Sequence, residues 1–521
     1  MRTSLRTTKL KTTRLVSAAI LILATIGVGS SVAAEDPPAG LIKAVPTIQI
    51  EAGKHDRVNV PIRVDVGHFV QVQDPPPGSY IPTLTAGLQA EDGTVLAGHL
   101  ASTVKEAQKR EQNIITGRAM NDLHFILPSL KAGEKLSLRL ITNGKELQDL
   151  GLMPSLPPGV AGVPLPPPGT VDGIPVVPPA ESSDPQPPSA VTGLPVHLMK
   201  GFTWTGPNGE FKELRFNGRP VVRYINKPYD NTTGDTHQLT KKVFHHVFDP
   251  TGKQIITKGP GGLYSHHRGL FYGFSKMGYG EGKTADLWHC NYGESQRHVK
   301  VLRQEFGSVV GRHQIEISWH GKDAGIIARE HRMLSAFNVP GGTLLEFESR
   351  LRSEVGPLTI DGDPQHAGFQ FRASQELADK TKDQTYYLRP DGRDKPGVTR
   401  NWGHKTIGEE INKKTENLPW NAMSFVVGGK RYTAVYLDHP GNPKPARYSE
   451  RDYGRFGSYF ETKLDEDDEL AVRYRVWIQE GEMTVNEAAR LSADFVDPPQ
   501  AKFQFVAPGI NKVIEAKELL P

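Results

Sequence analysis

Residues 344–351 read Leu344-Leu345-Glu346-Phe347-Glu348-Ser349-Arg350-Leu351, a run in which apolar and polar side chains largely alternate. Successive side chains of an extended chain point to opposite faces, so this pattern predicts a strand with one buried face. Similar runs recur between residues 213 and 478, without a glycine-rich βαβ turn or a sustained heptad. Residues 196–497 are therefore predicted to form one large antiparallel β-sandwich of jelly-roll or supersandwich type.

A second, smaller β domain is predicted over residues 45–148. Residues 47–51 and 58–66 both alternate with period two, as half-buried strands do. About a hundred residues of short strands suit an immunoglobulin-like β-sandwich. The fold class of the whole chain is therefore mainly β.

The two domains are predicted to be joined by a proline-rich linker, residues 149–195. Fourteen of the 41 prolines lie between residues 154 and 195. Such a tract cannot pair as a central strand or continue a helix, and it favours extended polyproline II. The last segment, residues 498–521, is predicted to be a C-terminal tail.

The first 34 residues have the pattern of a signal peptide. Residues 2–14 carry five basic side chains and no acid, residues 15–28 are mainly apolar, and small residues precede Glu35. The apolar run is shorter than the ~18 residues that a membrane helix needs, and no other stretch reaches that length. We expect an exported, periplasmic or extracellular protein with no transmembrane anchor after signal cleavage.

The charge of the chain belongs to this signal. The sequence holds 62 Lys and Arg against 58 Asp and Glu, and removing residues 1–34 leaves 57 against 58. Near-neutrality disfavours a nucleic-acid partner and favours a carbohydrate or another small neutral ligand. The single cysteine, Cys290, excludes a disulfide framework and is expected to be buried. The oligomeric state stays open.

Three histidine-bearing clusters in the large domain are the candidate site, at residues 264–273, 286–290 and 365–372. Each combines turn residues with aromatic residues, at the kind of strand edge where binding residues concentrate. Imidazole suits acid–base chemistry near neutral pH and also binds divalent metals. The predicted catalytic residues are His266, His289 and His366. The predicted substrate-binding residues are His267, Arg268, Trp288, Gln370, Arg372 and Tyr453.

Alternation assigns faces to these residues. Gln370 and Arg372 share one face of a strand, while Phe369 and Phe371 share the other, so a polar pocket on an apolar support is predicted. Neighbouring His266 and His267 point to opposite faces and are not expected to ligate one metal together. No H-x-H or H-E-x-x-H spacing occurs around them. The cofactor is therefore unknown, with a divalent metal as one alternative.

Six motifs in this order resemble the bacterial PmoA-like family over about residues 200–495. The motifs are residues 266–271, 286–289, 368–373, 422–425, 439–443 and 453–456. The resemblance implies an exported protein. The family name refers to a methane-oxygenase subunit and therefore implies a metal-dependent oxygenase. Methane oxidation is disfavoured, since that subunit is a helical membrane protein and this chain has no spanning segment after its signal.

Three hypotheses follow for the function. The leading one is a carbohydrate-binding or carbohydrate-processing protein of hydrolase, lyase or epimerase type, so enzymatic activity itself stays open. In it, His266 and His366 act as general acid/base or metal ligands, and Arg268 and Arg372 position hydroxyls or a carboxylate. The alternatives are a non-catalytic glycan-binding or cell-surface adaptor protein and, disfavoured, a metal-dependent oxygenase.

Overall fold

The computed structural model describes residues 45–67, 71–72, 84–101, 118–119, 121–152, 201–207, 209–363, 365–403, 409–506 and 513–514. Every strand pairing in these residues is antiparallel. The predicted signal peptide and nearly all of the predicted linker lie outside the described residues.

The strands are β1 (Val45–Glu51), β2 (Arg57–Asp65), β3 (Gln71–Val72), β4 (Leu84–Gln89), β5 (Val95–Ala101), β6 (Arg118–Ala119), β7 (Asp122–Leu130), β8 (Lys135–Ile141), β9 (Phe202–Thr205), β10 (Phe211–Phe216), β11 (Arg219–Ile225), β12 (Phe244–Val247), β13 (Leu270–Phe274), β14 (Lys276–Tyr279), β15 (Lys283–Ala285), β16 (Ser295–Glu305), β17 (Val310–His320), β18 (Ile326–Phe337), β19 (Thr343–Ser353), β20 (Leu358–Asp361), β21 (Ala367–Arg372), β22 (Tyr386–Arg389), β23 (Gly392–Arg393), β24 (Trp420–Val427), β25 (Lys430–Asp438), β26 (Arg447–Arg451), β27 (Arg455–Tyr459), β28 (Thr462–Leu464), β29 (Glu469–Glu480), β30 (Gln500–Val506) and β31 (Val513–Ile514). The helices are α1 (Gly144–Asp149), α2 (Gly234–Thr240), α3 (Glu409–Lys413) and α4 (Val485–Val496), with a π-helical turn at Leu377–Thr381 and a 3₁₀ turn at Lys382–Gln384.

The large domain is a sandwich of two sheets with one shared core. One sheet has the strand order β16-β17-β18-β19-β29-β25-β24-β22-β23, and the other has the order β26-β27-β21-β13-β12-β11-β10-β9. The run that predicted the fold lies in β19, where Phe347 stacks on Phe369 of the facing sheet with ring centroids 4.2 Å apart. The predicted mainly β, antiparallel sandwich class is confirmed. A separate four-stranded sheet of the same domain has the order β15-β14-β20-β28.

The small domain has its own sheet and its own core. Its strand order is β2-β7-β5-β4-β8-β1-β30-β31, and β2 also lies against β30. The sheet therefore curls back on itself around buried side chains such as Ile48, Leu88 and Phe125.

The segment predicted as a C-terminal tail instead supplies a strand to this small domain. Strand β30 pairs with β1 along its full length, with Val45 opposite Val506 and Glu51 opposite Gln500. Its residues alternate, and Ala501 and Phe503 pack against the core. The pairing partner lies about 450 residues earlier in the sequence, so the local pattern could not reveal it.

Buried polar contacts fasten the two domains to each other. Arg57 of β2 donates from Nη1 to Asp494 Oδ1 of α4 at 3.1 Å, with both side chains buried. The approach is close elsewhere too, because a Cβ at Gly307 would lie 2.7 Å from the His99 ring. In the described part of the chain, no helix is both long and apolar enough to cross a membrane.

The large domain's eight-stranded sheet, which contains β13 and β21, is covered by loops on its outer face. Central strands β13 and β21 pair with Leu270 opposite Phe371 and Phe274 opposite Ala367. At Gly273 the loop above comes so near that a Cβ would lie 2.5 Å from the Leu287 carbonyl oxygen. Glycine is required there, and its absent side chain lets the loop after β15 cross directly over β13.

The integration of β30 can be tested by truncation. A chain that ends at Asp497 leaves β1 with one hydrogen-bonded neighbour and exposes part of the small core. We expect a loss of roughly 2 kcal/mol or more of local stability, which speeds amide exchange in β1 about thirtyfold. Hydrogen exchange followed by mass spectrometry measures this directly. A chain that ends at Val506 is the control and should keep wild-type exchange in β1. Equal exchange in both truncated chains would contradict the pairing.

Candidate metal-binding active site

Three histidines from three different loops meet on the outer face of the large domain's eight-stranded sheet. His266 precedes β13, His289 lies between β15 and β16, and His366 directly precedes β21. One ring nitrogen from each lies within 4.8 Å of the corresponding nitrogens of the other two. The ring centroids of His266 and His289 are 4.5 Å apart, and those of His289 and His366 are 4.7 Å apart. All three predicted catalytic histidines therefore share one site.

The ring of His289 is oriented by an aspartate three residues earlier. Asp286 Oδ1 accepts hydrogen bonds from the backbone N–H groups of Trp288 and His289, at 3.0 and 2.8 Å. Its Oδ2 lies 2.7 Å from His289 Nδ1. One short side chain thus closes the turn and holds the imidazole, which leaves Nε2 of His289 to face the cluster.

The same arrangement recurs at His366. Asp363 Oδ1 accepts from the backbone N–H of Gln365 at 2.8 Å, and its two carboxylate oxygens lie 2.8 and 2.9 Å from His366 Nδ1. The two aspartate–histidine pairs share the spacing Asp-x-x-His. The side chains of His289 and His366 are 23% and 29% exposed, so the cluster opens to solvent on this side.

Both aspartates are held as carboxylates. Burial by itself would raise the pKa of Asp286, but hydrogen bonds from the ring and backbone N–H of His289 outweigh it and lower the pKa. Burial of Asp363 is likewise outweighed, first by the hydrogen bond from the ring of His366. An ionised carboxylate on Nδ1 fixes the tautomer and makes the opposite nitrogen a stronger ligand.

His266 is the innermost member and is neutral. Burial, followed by the positive charge of Lys242, lowers the pKa of His266 to about 2. Its Nε2 is buried and has no hydrogen-bond partner among the described residues. A neutral imidazole with an unpaired nitrogen, beside two oriented imidazoles, is the donor set that zinc, copper, iron or nickel accepts. The carboxylates of Asp286 and Asp363 match the charge of a divalent ion.

Two buried lysines fasten the loops that carry these histidines. Lys242 donates to the Trp288 carbonyl, next to His289, and burial lowers the pKa of Lys242 to about 7. Lys258 donates to the carbonyls of Gly261, Tyr264 and His267. Burial, followed by the charges of nearby arginines, lowers the pKa of Lys258 to about 7. Each ammonium group replaces its water shell with backbone carbonyls, so both loops are held in place.

Three of the predicted substrate-binding residues use their side chains for contacts within the protein. Arg268 is fully buried and donates to the backbone carbonyls of Ser265, Leu239 and Gln238. Gln370 donates to Ala367 O at 3.1 Å and accepts from Arg455 at 2.8 Å. The Trp288 ring packs on Phe271 with centroids 4.7 Å apart. These side chains build the support of the site.

The other three lie beside the cluster. His267 is buried, with its ring centroid 4.3 Å from that of His266, and neither of its ring nitrogens has a partner among the described residues. The Tyr453 ring lies parallel to that of His267 at 6.2 Å, and the guanidinium carbon of Arg372 lies 5.0 Å from the centre of the Tyr453 ring. His267, Tyr453 and Arg372 thus extend the site away from the three histidines.

We did not predict Asp363, Lys242 or Lys258 from the sequence. A signal for Asp363 was present, because the spacing Asp-x-x-His occurs at both 286–289 and 363–366. The lysines carried no such signal, since their burial depends on loops folded from elsewhere. Cys290 is buried as predicted, and burial raises the pKa of its thiol to about 11.

Comparison with known proteins gives weak likenesses in structure. No curated protein matches the chain. A glycosyl hydrolase family 38 protein from Enterococcus faecalis is 9% identical with a TM-score of 0.35, and the match covers 88% of this chain and 47% of that one. This chain therefore spans about half the length of that protein.

Two shorter proteins also match. A galactose mutarotase related enzyme from Lactobacillus acidophilus is 9% identical with a TM-score of 0.24, over 54% of this chain and 98% of that one. A galactose mutarotase-like protein from Clostridium acetobutylicum is 8% identical with a TM-score of 0.24, over 54% and 95%. At such scores these likenesses carry no conclusion about activity.

The sequence family is clearer than the structural likenesses. A family match runs from residue 212 to residue 493, which is more than half of the chain. It includes all three histidines of the cluster and both aspartates that orient them. The chain belongs to the family of unknown function DUF6807.

Proposed function

We propose that this protein is a divalent-metal-dependent enzyme that processes a carbohydrate on the outer face of its large sandwich. The observation that carries the proposal is the convergence of His266, His289 and His366 within 4.8 Å. Two of these rings are held at Nδ1 by carboxylates, which is the arrangement of histidine ligands in metal enzymes. Three protein ligands leave a coordination position for water or substrate, as in catalytic rather than structural sites.

The protein's own groups suit the chemistry of sugars. A bound metal would act as a Lewis acid on a hydroxyl or carbonyl oxygen of the substrate. His266 stays neutral through the physiological range, because burial and Lys242 hold its pKa near 2. Asp286 and Asp363 keep the other two rings in the tautomer with a free Nε2. Hydrolysis, elimination and epimerisation of a sugar all use a polarised oxygen, so the substrate decides among them.

Aromatic side chains at the mouth of the site support a sugar ligand. Tyr264 is 46% exposed, and its ring centroid lies 4.9 Å from that of Tyr453. Leu263 beside it is also exposed. Exposed aromatic faces next to polar groups are the surfaces on which sugar rings stack. The export signal and the PmoA-like resemblance stay predictions; a redox role would use the same three histidines with copper or iron.

The metal site is tested by metal binding itself. We expect purified protein to bind one Zn²⁺ or Co²⁺ per chain, and His266→Ala to weaken that binding at least about a hundredfold, because one of three ligands is lost. Titration calorimetry with Zn²⁺ and the visible spectrum of Co²⁺ report it. His331→Ala, a half-buried histidine of β18, is the matched control and should bind like the wild type. Equal binding by His266→Ala would refute the metal site.

The two aspartates should tune the affinity of this site. Asp286→Asn or Asp363→Asn places an amide beside Nδ1, which no longer fixes the tautomer, and we expect roughly 10- to 100-fold weaker Zn²⁺ binding. Asp323→Asn is the control, since Asp323 closes a similar but exposed turn through Gly325 N at 3.0 Å. Unchanged affinity in both site variants would mean that the aspartates serve the turns alone.

Turnover is tested with the metal-loaded protein on a panel of polysaccharides. We expect new reducing ends, unsaturated sugars or epimerised sugars from at least one of them, and none from His266→Ala. Binding without any product in either protein would favour the non-catalytic glycan-binding alternative. Product that depends on oxygen and on copper or iron would favour the oxygenase alternative.

A further inference from the structure

Arg372 is a buried cation, and three of its five N–H donors have no acceptor among the described residues. Its side chain is fully buried in β21, on the face that carries the site. Nη1 donates to the backbone carbonyls of Ala373 and Tyr453. Nε and Nη2 are buried as well, and neither has an acceptor among the described residues. Leaving a charged donor unsatisfied in a protein interior is costly, so this arrangement points to a ligand.

The two unused nitrogens, Nε and Nη2, form one edge of the guanidinium. The N–H groups of Nε and Nη2 point the same way, and their spacing matches the two oxygens of a planar carboxylate. The protein uses this edge elsewhere in that manner. Arg332 donates from Nε and Nη2 to the two carboxylate oxygens of Glu330, each at 2.8 Å. Arg389 holds Glu450 through the same edge.

Among the described residues, no carboxylate forms a direct ion pair with Arg372 or with the two arginines buried near it. Arg455 and Arg268 are also buried, and neither of them forms an ion pair with a carboxylate within the described residues. Asp286 and Asp363 are bonded to histidines, and Asp379, the acid whose charge acts on Arg372, is exposed and accepts a hydrogen bond from Gln375. Burial lowers the pKa of Arg372 only to about 10, so it remains charged at neutral pH. An anion from outside would therefore give Arg372 the direct partner that it lacks.

Tyr453 and His267 connect Arg372 to the three histidines. Tyr453 lies against both Arg372 and His267, and His267 lies against His266. His267 adds a second buried side chain whose nitrogens have no partner in the described structure. A group bound by Arg372 beside His267 would thus be separated from the metal ligand His266 by the His267 side chain.

We propose that the substrate is an acidic sugar, a uronate, whose carboxylate binds to the Nε and Nη2 edge of Arg372 beside His267. This deepens the proposed function and rests on it for the placement of the sugar ring. A sulfate ester shares the negative charge but is tetrahedral, and it matches the flat edge less well than a carboxylate does.

The test compares acidic oligosaccharides with their carboxyl-reduced counterparts, in which CH₂OH replaces the carboxylate. We expect the metal-loaded protein to bind glucuronate or galacturonate oligosaccharides at least about tenfold more tightly than the reduced forms. Arg372→Gln should abolish that ratio, and Arg372→Lys should restore part of it, because it keeps the charge without the fork. Arg352→Gln, an exposed arginine of β19, is the control and should keep the wild-type ratio.

Each outcome of this comparison either supports or contradicts the acidic-sugar proposal. Equal affinity of the wild type for acidic and reduced sugars overturns the proposal, even where Arg372→Gln fails to fold. Tighter binding of sulfated than of uronate oligosaccharides overturns the carboxylate assignment. Because a metal can also bind a carboxylate, the ratio is measured in His266→Ala without metal, where Arg372 should preserve it. A ratio that persists there, with no metal bound by the wild type, retains the acidic-sugar proposal and refutes the metal-dependent function.

Discussion

The contact between Phe347 and Phe369 joins the two sheets of the large domain, and the polar face of β21 depends on it. Their rings stack at 4.2 Å between the two sheets, and Tyr474 stacks on Phe369 from the side of β29. Burying Phe369 and Phe371 in the core forces the alternate residues of β21, Gln370 and Arg372, to the opposite face. A polar strand face in the middle of a sheet must then be covered. The loops that cover it are the ones that carry the three histidines.

The alternation of apolar and polar residues made the strands and their faces predictable. Contacts between segments that are distant in the sequence could not be predicted in this way. The run at residues 344–351 predicted β19, and the pattern at 369–372 placed aromatic residues in the core and polar ones outside. The meeting of His266 with His289 depends on Gly273, which lets a loop cross β13, and no local pattern shows this. The strand β30 was missed because its partner β1 lies at the other end of the chain.

The site is built on loops, yet it is held rigidly. Loops without regular structure would place ligands loosely, and a catalytic constellation tolerates little error in position. Here Lys258 collects the carbonyls of the loop before β13, while Lys242 holds that of Trp288. The aspartates then fix the rings of His289 and His366 within their turns. Backbone carbonyls, ammonium groups and carboxylates thus do what strand pairing does elsewhere in the fold.

The choice of partners for these lysines bears on the anionic ligand that we propose. A carboxylate partner for Lys242 or Lys258 would fasten the loops equally well, but it would also neutralise the region. With carbonyls as partners, no acid of the described residues is buried as their partner, and the guanidinium of Arg372 on the neighbouring strand stays charged without a carboxylate partner. The carboxylates of Asp286 and Asp363 contact the histidine rings, where they would balance the charge of a divalent ion, and they do not pair with Arg372. Folding therefore leaves the positive charge of Arg372 without a partner. A ligand that carries a carboxylate can compensate this charge and should bind more tightly than a neutral one.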